Sequence, residues 1–279
     1  MEFPVFLAVL AAAVMHAGWN AVIKLDLDRF SAILLLALMQ SGLAAGLLLF
    51  VDWPGLDAWG WILVAGCLHA GYKIFLIRAY QHGDLGQVYP IARGTAPLIV
   101  AVFGALVLGE ALSVLASASV IAIGGGVMLM AMKGGAGPRM SRQTLVYALI
   151  TAGFTASYTM VDGVGARLAG TASGFAMWMF VADGVVMVLY ALAVRGPVAF
   201  RGLRASWRPG LIAGALSLGS YWIAIWAMTQ APIAMVAALR ETSVLFAILI
   251  AALVLREPTG PWRWGAGGLI VAGVVLMRL

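Results

Sequence analysis

The sequence predicts an all-α integral membrane protein of ten transmembrane helices, arranged as two inverted five-helix repeats. Three observations carry that prediction. Of 279 residues, 63% are hydrophobic and only 10% are charged, and the mean hydropathy is +1.03. A soluble domain carries roughly 25% charged residues to cover its surface, so most of this surface must face something apolar. Secondly, apolar runs of about 20 residues, enough to cross ~30 Å of hydrocarbon, recur with only short polar punctuation between them. Thirdly, the two halves share polar residues at a fixed offset. Disorder, a disulfide framework and a secreted soluble domain are all excluded by the same composition.

The punctuation places spans at 3–23, 30–51, 58–80, 86–108, 112–132, 143–165, 172–194, 208–229, 232–255 and 262–278. A β-barrel would need alternating segments of about 10 residues, and runs such as 32–38 and 98–108 do not alternate. The first span begins Met1-Glu2, lacks a basic leader and runs directly into further spans, so it reads as a retained helix rather than a signal peptide. The one cysteine, Cys67, lies in an apolar run and reads as buried and inert.

Placing Arg93 over Arg240 also aligns Thr95 with Thr242, residues 105–108 with 252–255, Glu110 with Glu257, and Gly126-Val127 with Gly273-Val274. One residue of slippage aligns Gly66, Leu68, Gly71, Ile77 and Ala79 with Gly214, Leu216, Gly219, Ile225 and Ala227. Apolar matches alone are weak; Arg-x-Thr and Leu-x-Glu at one offset are not. The repeats are therefore 1–135 and 140–279. Five spans is an odd number, so the second repeat enters the membrane from the opposite side. That arrangement puts a site near the midplane and lets it open alternately.

The net charge of +6 comes from basic residues standing singly in short loops. No basic stripe interleaved with aromatics is present, so nucleic acid is not a partner, and anionic headgroups explain the excess. One set of loops holds twelve Lys and Arg residues, from Lys24 to Arg263; the opposite set, with both termini, holds Arg167 and Arg278. The positive-inside rule then puts both termini outside.

Charges inside a span cost at least ~2.5–3.5 kcal/mol each on insertion scales and usually face the bundle interior. The candidates are Lys73, Arg93, Asp162, Asp183, Arg240 and Glu241. Arg93 and Arg240 approach the midplane from opposite faces; two cationic forks in one cavity suit a carboxylate-bearing cargo. The alternative is that each pairs with a nearby carboxylate and holds helices together. His16, Asn20 and Lys24 share one face of span one, beside Trp19. Tyr72, Lys73 and Tyr80 in span three, with Tyr89, Tyr158, Tyr221 and Trp222, could supply aromatic and polar walls. Asp183, Asp162 and His69 are candidates for carrying a proton. Pro90 and Pro97 free the carbonyls of Gly86 and Arg93, which marks span four as a candidate hinge. Glu110 and Glu257 read as acceptors for amides at helix starts. The glycine pairs Gly42/Gly46 and Gly210/Gly214, and the run 124–126, read as sites of close helix approach.

No metal-ligand cluster, phosphate loop or Ser/His/Asp arrangement is visible, so neither enzyme chemistry nor a cofactor is expected. Without an ATP-binding domain, active transport would run on a gradient. A channel or an intramembrane lipid enzyme is the competing reading.

The layout resembles the EamA branch of the drug/metabolite transporter superfamily. The resemblance rests on Trp19-Asn20-…-Lys24 closing span one, Leu108-Gly109-Glu110-Ala111-Leu112 between spans four and five, and its counterpart Leu255-Arg256-Glu257-Pro258 before a Gly-rich last helix. By size and layout it is similar to the YddG-type amino-acid exporters. The resemblance implies a carrier of small metabolites in the inner (plasma) membrane, with amino acids the leading cargo and cationic drugs or other metabolites the alternative. It also implies termini in the cytoplasm, against the charge rule, and together with the placement of polar residues it points to a central cavity between spans one, three, four, six, eight and nine; the oligomeric state stays open, with a monomer favoured.

Overall fold

The computed structural model describes residues 1–22, 27–82, 85–133, 141–249 and 261–279; within these, the side chains of residues 21, 80–82, 85–90, 131–133 and 261 are outside the description. All regular structure among the described residues is helical. The helices are α1 (Phe3–Val22), α2 (Arg29–Leu47), α3 (Trp59–His82), α4 (Leu85–Val107), α5 (Val114–Lys133), α6 (Arg142–Leu168), α7 (Ala172–Arg195), α8 (Trp207–Gln230), α9 (Ile233–Arg240), α10 (Ser243–Leu249) and α11 (Pro261–Leu276). Six stretches are long and apolar enough to cross a membrane, and 91–107, 114–130 and 262–276 form shorter apolar helices.

Local chemistry sets several boundaries. The Asp28 carboxylate accepts the amides of Phe30 (3.1 Å) and Ser31 (3.4 Å) at the start of α2. Ser141 and Thr171 do the same for Thr144 (3.0 Å) and Gly174 (3.1 Å) at the starts of α6 and α7. Gly170 between α6 and α7, and Gly196 after α7, take positive φ (71° and 63°), which lets the chain reverse without a Cβ clash. In α6, Thr151, Thr155 and Thr159 each bond the carbonyl four residues back, at 2.7–2.9 Å. Three hydroxyls are thus satisfied within the helix and can enter an apolar layer.

Exchanging the two halves preserves the main helix contacts among the described residues. α3 packs on α6 and α1 on α8; α3 on α7 and α2 on α8; α2 on α7, α4 on α9 and α5 on α11. The aligned glycines stand at matching crossings. A Cβ on Gly66 would lie 2.6 Å from the Ala182 Cβ on α7, and one on Gly214 2.6 Å from the Met39 Cβ on α2. Gly126 and Gly273 face each other's helices, 2.7 Å from Ile270 and 2.6 Å from Ile123 by the same measure, and Ser119 ties the crossing by donating to the Gly273 carbonyl at 2.7 Å. Side chains larger than hydrogen would force these helices apart.

Three readings of the sequence change here. Cys67 is exposed on the outer face of α3, not buried, because its neighbour Gly66 takes the inward position. Gly42 and Gly46 meet nothing within 4 Å, whereas Gly210 and Gly214 are tightly packed; the spacing alone did not say which face of α2 turns inward. Span nine is interrupted: α9 stops at Arg240 and α10 begins at Ser243. Its counterpart α4 runs unbroken through Pro97.

The outside of the bundle is apolar, with Leu49, Leu106 and Val114 each at least 80% exposed. Patches of this kind mark contact with lipid or partners rather than water.

Candidate functional site

The break in span nine places a charged tripeptide in the middle of the bundle. Arg240 ends α9, Glu241 caps it, and Thr242 bonds the Leu239 carbonyl through its hydroxyl at 2.7 Å. All three are buried. Glu241 turns to Arg93 of α4, which donates from Nε to Oε2 at 3.1 Å. A second guanidinium nitrogen lies 3.0 Å from Oε1, an ion-pair contact with its N–H off line.

Arg240 is held differently. Its guanidinium lies 4.6 Å above the Tyr221 ring, and it makes no ion pair or hydrogen bond to any described side chain. A cation over a desolvated ring gains roughly 0.5–2 kcal/mol, and its place at the C-terminus of α9 adds up to about 2 kcal/mol. Losing hydration costs several kcal/mol per ion, so these contacts do not fully compensate it. The difference from Arg93 traces to one aligned position. Glu241 corresponds to Gly94, where a Cβ would lie 2.8 Å from Met128 and 3.1 Å from the Gly124 carbonyl. Repeat one has no room for the carboxylate that would have paired Arg240.

Arg240 opens onto a cavity of about 70 Å³. His16 and Trp19 of α1, Ile33, Leu36 and Gln40 of α2, and His69, Tyr72, Lys73 and Leu76 of α3 line one part of it. Arg93, Tyr158 of α6, Phe180 of α7, Ser217 and Tyr221 of α8, and Arg240 line the rest. Gln40 and His69 stand near mid-helix, and the other lining residues of α1 to α4 lie in the halves that end at Val22, Arg29, His82 and Leu85, so the cavity reaches from mid-bundle towards that side. On the opposite side an ion pair ties the two halves. Arg167 at the end of α6 pairs with Glu110 at 2.6 Å and donates to the carbonyls of Met228 (2.9 Å) and Ala231 (3.1 Å). Glu110 also accepts the Ile233 amide at 2.9 Å, at the first turn of α9.

In the cavity wall and just behind it, the buried polar groups interlock. Lys73 pairs with Asp183 and donates to Gln40 Oε1 at 3.2 Å, and Gln40 donates to Ser217 at 2.9 Å. His69 Nε2 lies 2.8 Å from Asp162 Oδ2, and Tyr221 donates to the same oxygen. The His69 ring stacks on Tyr158 at 4.0 Å. His16 Nδ1 accepts from Trp19 at 3.2 Å.

Of the residues singled out from sequence, His16, Trp19, Tyr72, Lys73, Arg93, Tyr158, Tyr221, Arg240 and His69 meet at this cavity. Asp162, Asp183 and Glu241 stand one layer behind as partners of His69, Lys73 and Arg93. Asn20 turns back to the His16 carbonyl at 2.8 Å, and Trp222 points to Ser173 of α7 at 2.9 Å. Pro97 lies within unbroken α4. Lys24 and Glu257, and the side chains of Tyr80, Tyr89 and Pro90, lie outside the described residues. The cavity also takes in spans two and seven, which the sequence reading left out. Gln40, the one amide inside span two, was the available signal; Phe180 offered none.

The EamA-like transporter profile matches residues 3–132 and again residues 142–279. The chain belongs to the EamA-like transporter family. The first EamA match covers α1 to α5 and the second α6 to α11, and family members are transporters, so the chain is a multi-pass membrane protein of that class. The match does not single out the YddG-type amino-acid branch. A solved crystal structure aligns with 98% of this chain and 94% of its own at 19% identity and a TM-score of 0.74, a likeness of fold alone. No curated protein matches.

Proposed function

We propose that this chain is a secondary carrier, an exporter or facilitator, that moves small carboxylate-bearing metabolites by alternating access between two inverted repeats. The observation that carries the proposal is Arg240: a buried guanidinium facing the cavity with no ion-pair partner among the described residues. A planar fork in a dry site recognises a carboxylate by two parallel hydrogen bonds. The described cavity lining includes Lys73, Arg93, Arg240 and two histidines but no acidic side chain. That favours an anionic end on the cargo and disfavours a cationic drug. Tyr72, Tyr158, Phe180 and Trp19 supply walls for an apolar part.

Amino acids fit this lining through their carboxylate, while their ammonium finds no acidic partner there. Organic acids without an ammonium group are therefore the better match. At about 70 Å³ the cavity is smaller than the roughly 300–1,000 Å³ of ligand pockets, so cargo entry requires the halves to separate. The Arg167–Glu110 tie closes the side that carries the termini. By the charge rule that side is outside, in an inner-membrane protein whose basic loops are cytoplasmic. The cavity is built within one chain, which supports a working monomer.

The test is uptake into proteoliposomes of labelled amino acids, each paired with its hydroxy-acid analogue (phenylalanine with 3-phenyllactate, leucine with 2-hydroxyisocaproate). Saturable uptake with the hydroxy acid the better competitor is expected. Uptake confined to cationic drugs, with every carboxylate inert, would overturn the reading.

A further inference from the structure

We propose that the His69–Asp162 pair binds one proton together with each anionic cargo, which makes the transport step electroneutral. The proposal rests on the carboxylate reading of Arg240 and adds a coupled ion to it. It follows from the charges of the core. Lys73 and Asp183 cancel, as do Arg93 and Glu241. Arg240 and Asp162 remain, on opposite sides of Tyr221: its ring carries the guanidinium and its hydroxyl donates to Asp162. With both imidazoles neutral the six charges sum to zero. A carboxylate on Arg240 leaves the core one charge negative, which a buried site tolerates poorly. One proton on the pair restores balance. Conversely, a proton without cargo leaves an excess positive charge beside Arg240. Cargo and proton therefore favour each other's binding, and reciprocally so.

The geometry selects His69 over the other lining histidine. His69 has a carboxylate 2.8 Å from Nε2, and the second oxygen of that carboxylate is buried without a hydrogen-bond partner among the described residues. His16 instead accepts the Trp19 N–H at Nδ1, a bond that protonation there would destroy, and its charged neighbours are Arg93 and Arg240. From α6, Asp162 and Tyr158 face His69, and from α8, Tyr221. α7 turns Phe180 towards it, and Asp183 on α7 is engaged by Lys73. Arg240, and Arg93 with Glu241, stand around the same cavity. Asp162 is thus the carboxylate placed to share a proton with an imidazole, and the proton belongs to the pair rather than to either member. His69 lines the cavity while Asp162 is fully buried, so protons reach the pair through the imidazole.

The test is calorimetric titration of the purified full chain with 3-phenyllactate in two buffers of different ionisation enthalpy. The expected result is one proton taken up per carboxylate bound, with affinity falling about tenfold per pH unit on the alkaline side of the transition. That measurement needs no variant. His69→Gln should then bind with no proton uptake and with pH-independent affinity, and Asp162→Asn should behave likewise. Binding by the native chain with no proton uptake overturns this inference alone, as does unchanged uptake in His69→Gln. Failure of the native chain to bind any of the organic acids overturns the carboxylate reading and this inference with it.

Discussion

Arg93 and Arg240 occupy the same position in the two repeats, yet one is neutralised and the other is not. The cause is a single aligned difference: repeat two carries Glu241 where repeat one carries Gly94. Two identical repeats could not achieve this. In a symmetric dimer of one repeat, both arginines would be paired or both left over, and two uncompensated guanidinium groups in one small cavity would repel. Fusing the repeats in one chain allows one arginine to fasten the halves together while the other meets the cargo.

The contrast can be broken most directly at the arginines themselves. Arg240→Ala removes a charge-assisted fork from a desolvated cavity, a loss of about 2–5 kcal/mol. Initial uptake rates of 3-phenyllactate should fall by at least about 30-fold, while the melting temperature in detergent holds or rises because a buried guanidinium with no ion-pair partner among the described residues has gone. A large drop in melting temperature would mean that Arg240 is structural after all.

Arg93→Ala should do the reverse. It strands Glu241 in the core, and removing one member of a buried pair costs about 3–5 kcal/mol. Thermal unfolding should show that loss, and the double variant Arg93→Met/Glu241→Leu should recover most of it. Recovery of stability with uptake still abolished would show that Arg93 also touches the cargo.

The smallest effect is expected at the exposed tie between the repeats, Asp28 with Arg195 at 3.0 Å. Partial burial raises the Asp28 pKa, but the hydrogen bonds from Arg195 and Ser31 outweigh it and hold the carboxyl below its ordinary value. A depressed pKa contributes stability that is present above the unfolded value near 3.9 and is lost as pH falls through the folded value. Asp28→Asn keeps the helix cap and removes the ion pair. It should lower stability at pH 7 by no more than about 1 kcal/mol, and native and variant chains should converge in unfolding experiments once the pH has fallen below the folded value.

Much of this architecture was legible in the sequence because membrane helices announce themselves by length. Predicted and observed boundaries of the described helices mostly agree within a few residues, as with 172–194 against Ala172–Arg195. The duplication was legible because polar matches at one offset are rare in apolar text. The break at Glu241–Thr242 was not, since nothing in Leu239-Arg240-Glu241-Thr242-Ser243 forbids a helix; the interruption goes with a tertiary partner, Arg93, 148 positions away. Prolines in α4 pointed to the wrong repeat for a discontinuity. Trp222 and Tyr221 are both candidate cavity walls by sequence, but the 100° step between consecutive helical residues sends Trp222 to Ser173 instead. Which arginine was already spoken for depended on which carboxylate the packing brought near, and periodicity carries no such information.

The outward turn of Cys67 has a practical consequence. It is the only thiol in the chain, it is exposed, and it adjoins Gly66, where α3 presses against α7. A maleimide-linked fluorophore or spin label would therefore attach at a single position without any engineered cysteine. Its signal would report on the seam between the two halves, where a rocking motion would have to register.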